Sequence, residues 1–424
     1  MVARDRDAVL SVLPTIVALL SGIAILGLAN GLMFTLLGIR MSLDGVPGTV
    51  IGLVGSTYYA GMLAGTLWCG RVIRRVGHIR AFTVFAAVAS IAALLHTLIG
   101  PAWVWAGLRA VMGVSSAGLF MVAESWLNYQ ASNETRGRTY ALYAIASSVG
   151  TGAGPLLVNL GDPAGHALFV IAAVLLSLSL LPVALTRVGN PALGEPGRLG
   201  IRALFALSPV AVSGALAAGL VSGAVSALGA VFGQRIGLAA GAVALVMLSL
   251  RLGGFVMQYP FGAISDRFDR RRVMIFACAG LIAVSAGFAL LPGASLPVVL
   301  ALGVAFGGFN QPIYGLAVSH AYDRLDPGDF VAASAGLLFA FGVGASAGPL
   351  LAAPVMDLVG PVGLFIYAAA IFALLAGFIA YRAGRRAAPP AEVQADYVAV
   401  PPNIPAKIAS LDPRAPDDEP PPGE

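Results

Sequence analysis

The thirty-two residues Ala8–Ile39, AVLSVLPTIVALLSGIAILGLANGLMFTLLGI, contain no charged side chain. A helix rises about 1.5 Å per residue, so about 20 apolar residues cross a bilayer core. The run exceeds that length, and it exceeds the apolar core of about 7–15 residues in a secretory leader. Arg4 and Arg6 precede it, so it reads as an uncleaved first membrane helix with its amino end in the cytoplasm. The rest of the chain has the same character. Of its 424 residues, 58% are hydrophobic and 11% are charged, against about 25% charged in an ordinary soluble domain. Mean hydropathy is +0.88. So few charges cannot clothe a soluble globule, and so apolar a chain does not stay disordered. A barrel would alternate in polarity over segments of about 10 residues, and these runs do not. The fold class is therefore an all-α integral membrane protein.

Apolar runs and helix breakers predict twelve spans, near 11–37, 48–69, 79–99, 102–124, 138–160, 164–186, 208–233, 239–265, 272–292, 296–321, 330–354 and 359–382. Counting Lys and Arg fixes their orientation, because cytoplasmic loops retain basic residues. With an even span count, 21 of the 25 basic residues fall on the cytoplasmic side. The outer loops hold only Arg40 and Arg235, while Arg109 and Arg251 lie within helices. The formal charge of +5 is thereby assigned to topology and not to nucleic acid. The expected location is the inner (plasma) membrane, with both termini cytoplasmic.

Residues 1–186 and 208–384 are expected to form two six-helix bundles. The stretch 187–207, with Pro191, Glu195, Pro196, Arg198 and Arg202, reads as a cytoplasmic linker. The acidic tail 385–424 holds ten of the 27 prolines and is expected to be disordered. The bundles repeat one another. Gly150-Thr-Gly-Ala-Gly154-Pro155-Leu-Leu matches Gly344-Ala-Ser-Ala-Gly348-Pro349-Leu-Leu at an offset of 194 residues. Gly70–Gly77 matches Gly262–Asp269 at 192, and Gly113 pairs with Gly307 at 194. Parallel repeats about an axis along the membrane normal enclose a pocket that can open to either side.

These residues resemble the major facilitator superfamily. Gly262-Ala-Ile-Ser-Asp266-Arg267-Phe-Asp269-Arg270-Arg271 is similar to its cytoplasmic loop motif, with Asp269 in place of the second glycine. Arg109-Ala-Val-Met-Gly113 resembles its fourth-helix motif. Gly150-x-x-x-Gly154-Pro155 resembles the fifth-helix motif of proton-coupled antiporters, without the usual glycine pair after it. The segments Gly70–His78 and Val122-Ala-Glu124-Ser125 also look like the YcaD-type bacterial branch. The resemblance implies that a loop-motif acid of one half faces a helix amino end of the other, where unpaired N–H groups and a partial positive charge meet it. Asp266 is then expected near Arg136 and Arg138, at the start of the fifth helix. In the first half Arg74 occupies the acid's place, and with Arg75 it is expected to meet Asp326 or Asp329. Arg267, Arg270 and Arg271 complete this cytoplasmic gate. The alternative for these arginines is simple positive-inside anchoring.

Charges inside the membrane normally face a cavity or a partner. Arg109 lies about 12 Å into the fourth helix and Arg251 about 18 Å into the eighth. Each contacts an anionic solute, acts as a fixed charge that tunes a nearby acid, or braces the bundle through helix carbonyls. Glu124 is the single acid inside an apolar run, and is the candidate proton-coupling carboxylate or, alternatively, a partner of the nearby arginines. Asn30, Tyr58, Tyr59, Gln258, Tyr259, Asn310, Gln311 and Tyr314 are expected at the pocket. Gly150, Gly154, Pro155, Gly344, Gly348 and Pro349 are expected to pack or kink their helices. The four histidines and two cysteines show no metal-ligand spacing, so neither metal nor cofactor is expected. No phosphate-binding Gly-Lys-Ser/Thr loop is present.

The expected function is secondary active transport of a small organic solute by alternating access, coupled to protons or driven by the solute's own gradient, in a monomer that needs only the lipid bilayer. No enzymatic activity is expected. The two buried arginines lean towards an anionic solute; the fifth-helix motif leans towards multidrug-type proton antiport. A non-transporting sensor or scaffold, using the tail as its interaction segment, is the alternative class.

Overall fold

The computed structural model describes residues 2–130, 136–184, 200–291, 293–385 and 397, excepting the side chains of 2–15, 130, 136, 140 and 327. Among them every regular element is helical, and twelve helices are long and apolar enough to cross a membrane. They are α1 (Ile16–Leu43), α2 (Gly48–Val76), α3 (His78–Leu98), α4 (Ala102–Tyr129), α5 (Gly137–Leu160), α6 (Ala167–Ala184), α7 (Pro209–Arg235), α8 (Ala240–Ser265), α9 (Arg270–Leu290), α10 (Leu296–Tyr322), α11 (Phe330–Val359) and α12 (Gly363–Ala383). Several run past the predicted apolar limits, with α1 ending at Leu43, α2 at Val76 and α4 at Tyr129. The extra turns carry Arg40 at the end of α1 and Arg74 and Arg75 at the end of α2, where positive charge favours the helix C-termini. Of the predicted 187–207 linker, the described part is the short helix Ile201–Leu207. Residues 187–199, the tail apart from Arg385 and Tyr397, and the side chains of Arg4, Arg6 and Arg136 lie outside the described residues.

The packing repeats the sequence. In the first six helices α1 packs on α5 and α2 on α4; in the last six α7 packs on α11 and α8 on α10. The glycine motifs explain how closely. A β-carbon at Gly150 or Gly154 would strike the α1 backbone at Ala24 or Leu28, and one at Gly344 or Gly348 the α7 backbone at Leu216 or Leu220. Small residues allow such backbone approach in a bilayer, where helices gain little from hydrophobic burial. The two prolines behave differently. After Ala153, α5 tightens into a 3-10 helix from Gly154 to Leu160, whereas Pro349 stays inside an unbroken α11. The helix α10 is interrupted at Gln311, because Pro312 has no N–H to offer the Gly308 carbonyl.

Across the seam between the two sets, α2 packs on α11, α1 on α7, and α5 on α8. The seam is closed at the end that carries Arg40, Arg235 and Asp357: Gly52 lies against Pro349 and Ala353, Gly55 against Ala227, and Gly38 against Ala230. At the opposite, arginine-rich end, Arg74, Arg75, Arg138, Arg267, Asp326 and Asp329 are all exposed.

Candidate functional site

A cavity of about 230 Å³ lies on the seam where α5 faces α8 and the break in α10. The α8 register puts Leu248, Arg251, Leu252, Phe255 and Gln258 along it, the i, i+3, i+4, i+7 pattern of one helical face. Gln311 enters from the interrupted turn of α10, and Ser147, Ser148 and Thr151 from α5. Arg251 is half-buried; its Nη2 donates to Ser226 Oγ of α7 at 2.8 Å. That bond fixes the guanidinium and leaves further donors for a solute, since Arg has five. The lining thus combines one fixed positive charge, two amides, hydroxyls and an aromatic ring. It suits a solute with an anionic end and an apolar body.

Arg109 sits elsewhere, only 1% exposed. Its guanidinium carbon lies 4.2 Å from the ring centre of Phe34 and 4.4 Å from that of Tyr58. Tyr59 stacks on Phe34 at 5.6 Å, and Tyr58 donates to Asn30 Oδ1 at 3.3 Å. Nη1 and Nη2 of Arg109 have no hydrogen-bond partner among the described residues. They border a void of about 10 Å³ between α1, α2 and Ala227 of α7. The predicted pocket residues therefore divide into two groups. Arg251, Gln258 and Gln311 line the cavity, whereas Arg109, Tyr58, Tyr59 and Asn30 form an aromatic box at the closed part of the seam. Asn310 instead reaches Ser222 Oγ of α7 at 3.3 Å. Tyr314 is buried beside Phe341, and Tyr259 is largely exposed.

Glu124 is fully buried, and its Oε1 accepts from Tyr143 of α5 at 2.7 Å. Beside it in sequence, Ser125 meets His78 Nε2 at 2.9 Å. In the loop motif, Asp269 accepts from the backbone N–H of Arg271 at 3.0 Å and so caps α9. Arg270 pairs with Asp323, the residue after α10, at 2.8 Å, both side chains buried. Asp266 lies 3.6 Å from Arg270 and accepts from the Tyr397 N–H at 2.8 Å. The Tyr397 ring covers Gly262 of the same motif and Gly315 of α10. Among the described residues no ion pair joins Arg74 or Arg75 to Asp326 or Asp329, in keeping with the exposure of all four. No cluster of three metal-ligating side chains occurs among the described residues.

The seam is tied instead at the other end, by a residue the sequence did not single out. Asp357, at the end of α11, accepts from the N–H groups of Gly48 at 3.2 Å and Thr49 at 2.9 Å, at the start of α2. Arg235 of α7 pairs with the same carboxylate at 3.0 Å. An acid of one half thus meets a helix amino end of the other, the arrangement expected of Asp266, at the opposite end of the molecule. The signal available was the rarity of outer-loop arginines, of which Arg235 is one.

Comparison with known proteins follows from this architecture. The family profile described as Major Facilitator Superfamily matches residues 19–326. The MFS-type transporter YcaD of Salmonella enteritidis PT4 (strain P125109) is 28% identical over 384 residues, which is 89% of this chain and 98% of that protein. The YcaD of Salmonella newport (strain SL254) is 27% identical with the same coverage. Among solved structures, a mutant of the nucleoside transporter NupG gives a TM-score of 0.74 at 15% identity, covering 87% of this chain and 99% of its own. A bacterial homologue of the human lysosomal transporter Spinster, inward-facing and unoccupied, gives 0.67 at 15% identity, covering 88% and 96%. At such identities the likeness is one of fold.

Proposed function

The chain belongs to the major facilitator superfamily of membrane transporters, and on that premise we propose that it carries a small organic anion across the inner membrane by alternating access. The observation that carries this reading is the seam cavity with Arg251 held at its wall by Ser226. A fixed, permanently charged fork in a largely apolar cavity favours carboxylate or phosphate over a cation. The arginine-rich end is taken as cytoplasmic, from the basic-residue asymmetry. The closed seam at Asp357 then supports reading this conformation as inward-facing.

A thermal-shift screen of the purified protein against organic anions, and against their neutral amides, tests the solute class. Anions should stabilise and amides should not. In Arg251→Gln the anion's apparent affinity should fall roughly 10–100-fold, as expected for one charge-assisted hydrogen bond. Stabilisation by cations alone would refute the anion reading and favour the multidrug alternative.

Proton coupling is assigned to Glu124, the buried carboxylate at the α4–α5 contact. A Gln at that position keeps the Tyr143 hydrogen bond but cannot exchange a proton. Glu124→Gln in proteoliposomes should therefore retain downhill flux and lose its dependence on an imposed pH gradient. Unchanged pH-driven accumulation would remove Glu124 from the coupling step.

A further inference from the structure

Arg109 is almost wholly buried, and among the described residues both of its terminal nitrogens lack a hydrogen-bond partner. No ion pair of it is found among those residues either. Acids at the end that carries Arg40 and Arg235 are engaged elsewhere. Asp44 pairs with Arg40 at 2.9 Å, Asp357 with Arg235 at 3.0 Å, and Asp162 accepts from the Ala164 N–H at 2.9 Å. The Phe34 and Tyr58 rings hold the guanidinium carbon, and the Tyr58 hydroxyl is turned to Asn30 at 3.3 Å.

The void of about 10 Å³ beside Arg109 has Leu37 and Met41 of α1, Ile51 and Val54 of α2, and Ala227 of α7 in its walls. Arg109 is the one charged residue among its described walls. A space of about 10–15 Å³ on this measure admits one water-sized body. A carboxylate or phosphate is a multi-atom group and does not fit. Water fits by size but is neutral, so it leaves the cost of the buried charge in place. A monatomic anion meets both demands. It can accept from both Nη atoms of the fork at once, and it asks no hydrogen bond of the apolar walls. In such apolar surroundings two opposite charges attract far more strongly than in water.

We propose that Arg109 binds a single halide ion in this void, chloride in ordinary solution. The ion supplies the counter-charge that the surrounding side chains do not. It also touches both sets of helices, since Ala227 belongs to α7 and the other walls to the first six, so it helps to hold that end of the seam together. The halide site and the Arg251 cavity share no lining residue. The proposal depends on neither the anionic solute nor alternating access.

The test uses the full chain, purified, with sodium chloride or bromide replacing sodium gluconate at constant ionic strength. Thermal shift and equilibrium binding of radiolabelled chloride are read in the wild type, Arg109→Met, Val54→Ile and Arg251→Gln. The wild type should bind chloride saturably and melt higher as either halide replaces gluconate. Arg251→Gln should respond alike, which separates the halide site from any gluconate bound in the seam cavity. Arg109→Met should lose chloride affinity by roughly tenfold or more. Without halide it should melt above the wild type, and added chloride should narrow that gap. Val54→Ile keeps the charge but adds a methylene at the wall of the void, and it should weaken binding in the same direction. Chloride bound no more tightly by the wild type than by a folded Arg109→Met, or not bound at all, would overturn the proposal. If Arg109→Met does not fold, equal affinity in the wild type and Val54→Ile would do the same. Chloride binding lost in Arg251→Gln and kept in Arg109→Met would move the ion to the seam cavity and overturn it too.

Discussion

Replacing Arg109 by Met should stop solute flux while making the folded protein more resistant to heat. The guanidinium is 1% exposed, and no ion pair of it is found among the described residues. It touches two aromatic faces, each contact being worth about 0.5–2 kcal/mol. Burying a charge without a counter-charge costs several kcal/mol, about the sum of both contacts or more. Met keeps the length of the side chain and the packing against Phe34 and Tyr58 but removes the two unpaired nitrogens. A charge kept at such a cost points to a role that only the charge can fill. The box lies where α1, α2 and α7 meet, so the charge is sealed in the observed state and, on the alternating-access proposal, would be uncovered by opening of that end. Flux should drop by roughly a hundredfold, equivalent to about 2.7 kcal/mol, and the melting temperature should rise by a few degrees. Normal flux in Arg109→Met would show the charge to be dispensable. Lost flux with a lowered melting temperature would make Arg109 a brace.

Removing the Asp357 carboxylate should release the closed end. Its bonds to Gly48 and Thr49 are the ties across the seam, and Arg235 holds it in place. Two charge-assisted bonds are worth about 1.5–3 kcal/mol each when buried, and Asp357 is 30% exposed. Discounted for solvent, the pair contributes about 2 kcal/mol, a population shift of roughly thirtyfold. A cysteine at Ala227, which faces Gly55 in the closed seam, reports the opening. Both native cysteines are buried. Asp357→Ala should raise the labelling rate of Ala227→Cys by a membrane-impermeant thiol reagent by about tenfold or more. Asp357→Asn, which keeps one acceptor oxygen, should lie between. An unchanged labelling rate in Asp357→Ala would dismiss the carboxylate as a lock.

What was legible in the sequence is what is written in one dimension. Apolar runs and basic loops gave twelve helices, because membrane thickness and the leaflet bias act on consecutive residues. The glycine motifs at Gly150 and Gly344 announced equivalent contacts, since a repeat is also a linear pattern. The site was only partly legible. Arg251, Gln258 and Gln311 stood out as polar groups in apolar helices. Ser147, Ser148 and Thr151 did not, because small hydroxyl residues on a helix read as packing. Phe34 was hidden in an apolar run, although its ring carries half of the Arg109 box. Asp357 meets Thr49 across 308 residues of chain, and Tyr397 meets Asp266 across 131. No local pattern encodes either encounter.

The glycine contacts also divide the molecule mechanically. Within each set of six helices, Gly150, Gly154, Gly344 and Gly348 bring backbone against backbone, so nothing can slide there without prising two helices apart. Across the seam, a β-carbon at Gly38 or Gly55 would first meet the methyl groups of Ala230 and Ala227, whereas one at Gly52 would meet the Pro349 carbonyl. Such contacts can part while both helical ladders stay whole. Stiffness is therefore stored inside the two sets and compliance between them, like two levers on one bearing. A flaw within a lever is a fault of assembly, whereas a flaw on the bearing is a fault of timing.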